Sequence, residues 1–227
     1  MTGLIALELA SAAFVGSHLL MSHPLRPALV GALGERGFGG VYSLVSIGLL
    51  WAMSHFYGPA AAEAPGSLWD AGQTGWIVAT VLMWIGAILF VGSLRRNPAF
   101  PNPGKPVTHI GAALGVFAIT RHPMMWSFAI WALVHAIVLP TLASLTVSAA
   151  ILFLALVGAA GQDRKKARLV GEPWRDWMRR TSFVPFGRGL AAPGGFALIG
   201  GTLLWLAATW AHGALGYRPA GIWAFFA

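Results

Sequence analysis

The chain has 227 residues, of which 57% are hydrophobic and only 10% are charged, and it contains no cysteine. Ordinary soluble domains carry about 25% charged residues, so a soluble enzyme, a disordered chain and a soluble nucleic-acid-binding domain are all disfavoured. The lack of cysteine excludes disulfides, iron–sulfur clusters, cysteine-ligated zinc and cysteine nucleophiles. The mean hydropathy of +0.70 predicts an integral membrane protein.

Six stretches are long and apolar enough for transmembrane helices, which need about 20 residues each. Their apolar runs are continuous rather than alternating, which favours helices over the strands of a barrel. They lie roughly at residues 3–22, 38–57, 74–94, 122–140, 142–161 and 194–213. Only Pro140 and Thr141 separate the fourth from the fifth, which predicts a tight helical hairpin. The expected fold class is an all-α, polytopic transmembrane helix bundle of about six spans, forming one domain over residues 1–227.

The basic residues lie almost entirely on one side of the predicted bundle. With six alternating spans, fourteen of the fifteen Lys and Arg residues fall in loops on one face, and only Arg218 falls opposite. The positive-inside rule makes the basic face cytoplasmic. This predicts a multi-pass protein of the bacterial inner membrane with both termini in the periplasm. The net charge of +8 then reflects topology, with the lipid bilayer as partner and no nucleic acid.

The loop between the third and fourth spans has two parts. Its first part, RRNPAFPNPGKP, is rich in the Pro and Asn residues typical of turns. The second part, residues 107–119, is apolar but too short to cross a bilayer. We therefore expect an interfacial or re-entrant helix there.

Two histidines are embedded in apolar helices, where polar side chains are costly and are candidates for function. His18 lies about four residues from the cytoplasmic end of the first span, and His135 lies about five residues from the outer end of the fourth. Histidines on two helices of a bundle can hold a heme or a metal ion between them. A histidine in an aromatic stripe more often packs with an internal hydrogen bond, so both interpretations stay open.

The depth of His135 in the membrane suggests a second candidate partner. At 1.5 Å per residue, His135 lies about 21 Å from Arg121 along its helix, whereas His18 lies only about 6 Å from the cytoplasmic face. A heme with two histidine ligands needs both imidazoles at nearly one depth. His55, near the outer end of the second span, matches His135 in depth and is the alternative to His18.

Four blocks of sequence, taken in order, resemble the NnrU family of bacterial membrane proteins. They are GSHLLMSHPLR, LGERGFGGVYSLVSIGLLW, TRHPMMWSFAIWALVHAI and QDRKKARLVGEPWRDWMRRTSFVPF. The same blocks are similar, more distantly, to the zeta-carotene isomerases of carotenoid synthesis. The resemblance extends from about residue 5 to residue 213.

This resemblance implies a cofactor and two functions. The cofactor is heme b, and matching by motif places its metal ligands at His18 and His135, with Arg121 available to neutralise a propionate. The functions are cis–trans isomerisation of a hydrophobic small molecule and a part in nitrogen-oxide (denitrification) metabolism. The isomerases have a cysteine three residues before the second ligand, where this chain has Ala132, so thiolate chemistry is excluded at that position.

Two other functions stay open. The RHP and GEPWRDW segments also resemble membrane methyltransferases, which implies an S-adenosylmethionine site at the cytoplasmic face formed by Arg121, His122, Asp163 and Trp174. The second alternative is a non-enzymatic membrane partner that binds neither cofactor. Substitution of His18 and His135 would not affect a protein of that kind.

Overall fold

A computed structural model describes residues 2–100 and 107–225, and within these ranges it is helical with no extended strand, as predicted. The helices, in chain order, are α1 (Thr2–Ser22), α2 (Arg26–Glu63), α3 (Gly72–Ser93), α4 (Val116–Ile119), α5 (Pro123–Val138), α6 (Leu142–Leu169), α7 (Glu172–Arg180) and α8 (Gly195–Ala214). A 3₁₀ turn follows at Ile222–Phe225. The all-α bundle is thereby confirmed.

The long helices form two groups, each with its own apolar core. Helices α1, α2 and α6 pack together around Leu7, Phe14 and Met53. Helices α3, α5 and α8 form the second group, in which Leu89 and Val134 are buried. Contacts between α5 and α6 join the two groups.

Five helices are long and apolar enough to cross a bilayer, namely α1, α2, α3, α6 and α8, so this is a multi-pass membrane protein. The predicted span at 122–140 is the shorter apolar helix α5, with 16 residues. The predicted hairpin to α6 is present. Pro140 and Thr141 lie in its turn, and the Thr141 hydroxyl accepts a hydrogen bond from the Ser144 N–H to cap α6.

The three basic loops meet at one end of the bundle. The His23 ring, after α1, packs directly on Gly161 of α6. The Arg180 guanidinium donates a 2.9 Å hydrogen bond to the carbonyl of Ile110 in the loop after α3. Lys105, counted among the basic residues of that loop, lies outside the described residues. These contacts agree with the predicted clustering of cationic loops on one face.

Contacts at the opposite end join the loops that the sequence places there. The Glu63 carboxylate, at the end of α2, accepts hydrogen bonds from the backbone N–H groups of Gly3 (2.8 Å) and Leu4 (3.2 Å). It thereby caps α1, whose first N–H groups have no partner within the helix. The Trp69 indole donates to the Ile137 carbonyl at 3.0 Å, which fastens the α2–α3 loop to the end of α5.

Two local predictions need correction, and one helix was not predicted. Helix α2 begins at Arg26 rather than near residue 38, and it is interrupted only at Gly34, where φ is 70°. The predicted helix at 107–119 is reduced to the single turn of α4, which begins after Gly115, whose φ of 60° is not helical, and residues 107–114 have no regular secondary structure. Helix α7 was not anticipated, although Gly171 and Pro173 are typical helix-start residues.

Helices α3 and α8 approach closely where Gly201 faces Ile88. A Cβ atom at residue 201 would collide with the backbone of Ile88, so only glycine permits this spacing. Nearby, the Trp84 indole donates a 2.9 Å hydrogen bond to the Thr202 hydroxyl. Small residues at such crossings let helices associate in membranes, where packing replaces the hydrophobic effect.

We expect Gly201→Ala to destabilise the bundle by about 1–3 kcal/mol, because the new methyl group forces α3 and α8 apart. The measurement is thermal unfolding in detergent followed by tryptophan fluorescence. The matched control is Gly48→Ala on α2, where an added Cβ meets nothing within 4 Å and helix propensity improves slightly. Equal unfolding midpoints for the two variants would contradict this account of the α3–α8 crossing.

Candidate functional site

At the basic end, the buried Asp163 carboxylate on α6 contacts the polar groups of three other side chains. Arg121 contacts its Oδ2 atom through both Nε and a terminal nitrogen, each at 2.8 Å. His122 Nε2 lies 3.0 Å from Oδ1. The Trp174 indole N–H, from α7, donates to the same Oδ1 at 3.3 Å. The loop before α5 is thereby connected to α6 and α7.

The segment after α7 holds this network in place. The Arg121 backbone N–H donates to the Ser182 carbonyl at 2.8 Å. The Thr120 hydroxyl and the Trp126 indole both donate to the Phe183 carbonyl, at 2.7 and 2.8 Å. Because α5 starts immediately after this anchor, its axis is fixed relative to the basic end.

The structure therefore brings together the four residues predicted for an S-adenosylmethionine site, but their polar atoms bond to one another. His122 Nδ1 is buried without a hydrogen-bond partner, which fits a tautomer whose proton is on Nε2 and donated to Asp163. Buried charges need such pairing, since an unpaired one is strongly unfavourable. These four side chains satisfy one another and connect the start of α5 to α6 and α7. The arrangement therefore fits a structural clamp between these helices better than a cofactor site.

His18 has partners of its own in the other helix group. Its Nδ1 lies 2.7 Å from the Phe14 carbonyl and its Nε2 lies 3.2 Å from the Ser46 hydroxyl on α2. Its ring also meets Tyr42 edge to face, with centroids 5.2 Å apart. Both ring nitrogens of His18 are thus engaged between α1 and α2.

His55 lies on the exposed side of α2. Its ring stacks on Trp51, with a centroid distance of 5.2 Å and an interplanar angle of 16°. His135, in contrast, is on α5 in the second helix group. Within residues 2–100 and 107–225, neither His18 nor His55 has a hydrogen bond or a ring contact with His135.

His135 lines a cavity of about 620 Å³ formed mainly by α3, α5, α8 and the segment after α8. This volume is within the range of about 300–1,000 Å³ common for small-molecule sites. The walls are largely apolar and aromatic. Phe90, Phe128 and Trp131 line its inner part, and Tyr217 belongs to the segment after α8.

A second histidine, His212 on α8, lines the same cavity. His135 Nδ1 lies 2.8 Å from the Trp131 carbonyl, and His212 Nδ1 lies 2.7 Å from the Ala208 carbonyl. Each Nδ1–H donates to a carbonyl one turn earlier, so each Nε2 carries a lone pair. Within residues 2–100 and 107–225, neither Nε2 has a hydrogen-bond partner. This orientation is the one that metal-binding histidines adopt.

His212 lies in the last turn of α8, where a histidine often serves only as an interfacial anchor, so its position in the sequence does not mark it as a site residue. Both imidazoles line one cavity. No group of three or more His, Cys, Asp or Glu side chains able to hold a metal ion occurs in the described part of the chain. Two histidines suffice for heme, however, since the porphyrin supplies four nitrogen ligands.

Comparison with known proteins identifies the family of this chain. The family model described as NnrU protein matches residues 6–219, which is nearly the whole chain. The chain belongs to the NnrU family. No solved structure matches this NnrU protein.

Two curated relatives carry the same name. The 15-cis-zeta-carotene isomerases of Arabidopsis thaliana and Zea mays, both described as chloroplastic, are each 33% identical to this NnrU protein over 82 residues. The alignment covers 36% of this chain and 22% of each relative. The matched segment thus spans about a fifth of the length of the curated relatives.

Proposed function

We propose that this NnrU protein binds an unsaturated, apolar small molecule in the cavity between α3, α5 and α8 and interconverts its cis and trans isomers. The observation that carries the proposal is the cavity itself, which is largely apolar, is lined by aromatic rings and includes two histidines at its outer part. A hydrocarbon ligand would reach it from the bilayer. Similarity to proteins named as isomerases supports the reaction type.

Heme b is the proposed cofactor, with His135 as its ligand and His212 as the second histidine facing the same space. His18 fits less well, because both of its ring nitrogens already have partners between α1 and α2. When bound, heme supplies an iron able to interact with a double bond or with nitric oxide, depending on its redox state. The Trp131 carbonyl holds the His135 ring in the tautomer that leaves Nε2 free.

The test is an isomerisation assay with the protein in lipid nanodiscs. The substrate is 15-cis-zeta-carotene, supplied in darkness with hemin and a reductant, and chromatography follows the isomer ratio with time. We expect equilibrium to be approached faster than in empty nanodiscs containing the same hemin. An unchanged rate would overturn the isomerase proposal and favour a non-enzymatic membrane partner.

The nitrogen-oxide role is the second proposal, and it depends on the same cofactor. We expect the visible spectrum of the reduced protein to change on addition of nitric oxide. A protein without a Soret band after purification with supplied hemin would contradict both the heme and the nitrogen-oxide proposals.

We also propose that the protein lies in the bacterial inner membrane with the basic end in the cytoplasm and the ends of the chain in the periplasm. Support comes from the meeting of the basic loops at one end and from the positive-inside rule. The inner leaflet would place anionic lipids beside these cations.

Single cysteines test this orientation cleanly, because the native chain has none. We expect Leu68→Cys, in the α2–α3 loop, to react with a membrane-impermeant maleimide in spheroplasts. Leu190→Cys, in the loop before α8, should react only after lysis. Both positions are exposed, at 58% and 94%, so accessibility within the fold is not limiting. The reverse labelling pattern would contradict the proposed topology.

A further inference from the structure

Arg218 is unlike the other described basic residues, because it lies at the opposite end of the bundle and lines the cavity. Its guanidinium carbon is 4.3 Å from the centroid of the Trp76 ring on α3. Among residues 2–100 and 107–225, no carboxylate lies within ion-pair distance of Arg218. A cation with only an aromatic partner at the edge of an apolar cavity can bind an anion.

The segment that carries Arg218 is fastened to α8. The Trp205 indole donates to the Ala220 carbonyl at 3.2 Å, and the Trp223 indole donates to the Leu206 carbonyl at 3.0 Å. Gly221 packs so closely on Thr209 that a Cβ atom would collide with it. These contacts hold the guanidinium at the cavity instead of leaving it on a free tail.

The cavity extends inward from this cation along α5. Ser127 and Val138 both line it, and at 1.5 Å per residue they are about 16 Å apart along the helix. Between them the walls include Phe128 and Trp131. A ligand that fills this space therefore has a long apolar body at one end and meets Arg218 at the other.

We propose that this cavity also accepts amphipathic carboxylates, namely polyene acids whose apolar chain lies along α5 and whose carboxylate binds Arg218. The planar guanidinium presents paired N–H donors that match a carboxylate. Charge complementarity also favours an acid, since the cavity lining includes the Arg218 cation but no Asp or Glu. This inference rests on the proposed function, because it adds a second substrate class, polyenes with a terminal carboxylate, for the same cavity.

The test compares a fluorescent conjugated polyene fatty acid with its methyl ester, using the full chain in nanodiscs of phosphatidylcholine. Energy transfer from the cavity tryptophans to the polyene reports binding. We expect the wild-type protein to bind the acid at least about tenfold more tightly than the ester, which corresponds to about 1.4 kcal/mol. Arg218→Gln should lose this preference and Arg218→Lys should keep part of it.

The matched control is Arg36→Gln, a basic residue of α2 far from the cavity, which should keep the full preference. Equal preference for the acid in wild type and Arg218→Gln would overturn the proposal. So would loss of the wild-type preference when phosphatidylglycerol is added to the nanodiscs, since Arg218 would then bind lipid headgroups. Loss of heme in Arg218→Gln with an unchanged preference would assign Arg218 to a propionate instead. Binding of neither acid nor ester would overturn the proposed function as well, whereas equal binding of both overturns only this inference.

Discussion

Replacement of Asp163 by asparagine is expected to destabilise the protein by about 3–5 kcal/mol, the usual cost of breaking a buried ion pair by removing one partner. Asp163 is only 5% exposed and faces Arg121 at 2.8 Å. The amide would leave the buried guanidinium without its counter-charge and would weaken the link between α5, α6 and α7. The free energy of unfolding in mixed micelles measures this effect.

The matched control is Asp176→Asn on α7. The hydrogen bond from Arg180 lowers the pKa of Asp176, yet this carboxylate is exposed, so water and salt screen the pair and its loss should change stability little. If Asp163→Asn is as stable as the control, the clamp interpretation is contradicted. If wild type binds S-adenosylmethionine in calorimetry and Asp163→Asn does not, the methyltransferase alternative replaces it.

The second large effect concerns the histidines of the cavity. We expect His135→Ala to lose the Soret band of the hemin-supplied protein and to lose isomerisation, because it removes the imidazole whose Nε2 is free to ligate. His212→Ala should weaken the band or shift it. His18→Ala should keep both the band and the activity, since His18 bonds to Phe14 and Ser46 in the other helix group.

The measurements are visible spectra of oxidised and reduced protein, with thermal unfolding to show that each variant is folded. Loss of the band in His18→Ala together with its retention in His212→Ala would restore the pairing of His18 with His135 implied by the family motif. A band that survives in His135→Ala would place the heme elsewhere.

Apolar runs and cationic loops were sufficient to predict the bundle, its hairpin after α5 and the meeting of the basic loops. Apolar runs and cationic loops did not predict helical segments that contain charged residues, nor an apolar segment that is not helical. Arg26 and Arg36 made residues 23–37 look like a loop, but a helix at a membrane interface tolerates charge, and α2 begins at Arg26 with Pro27 in its first turn. The apolar run at 107–119 looked helical, but the only helical turn there begins after Gly115, whose φ of 60° is not helical.

The candidate site, too, could be predicted only in part from the sequence. His135 could be identified from its position in an apolar helix, and the RHP motif with Asp163 and Trp174 could be grouped by resemblance. Sequence could not show that Asp163 satisfies Arg121 and His122 at once, because residues 42 and 41 positions apart meet only through tertiary packing. Nor could it show that His212 on α8 lines the same cavity as His135, since that depends on how closely α8 crosses α3 at Gly201.

The most direct test of the cavity as the functional site uses two neighbouring alanines of α8. Ala208 lines the cavity and Ala207 does not, although both are exposed on the helix. In the isomerisation assay, we expect the Ala208→Trp indole to occupy the ligand space and lower kcat/KM by at least about tenfold, equivalent to about 1.4 kcal/mol. Ala207→Trp should retain the wild-type rate. Equal rates for the two tryptophan variants would contradict the assignment of function to this cavity.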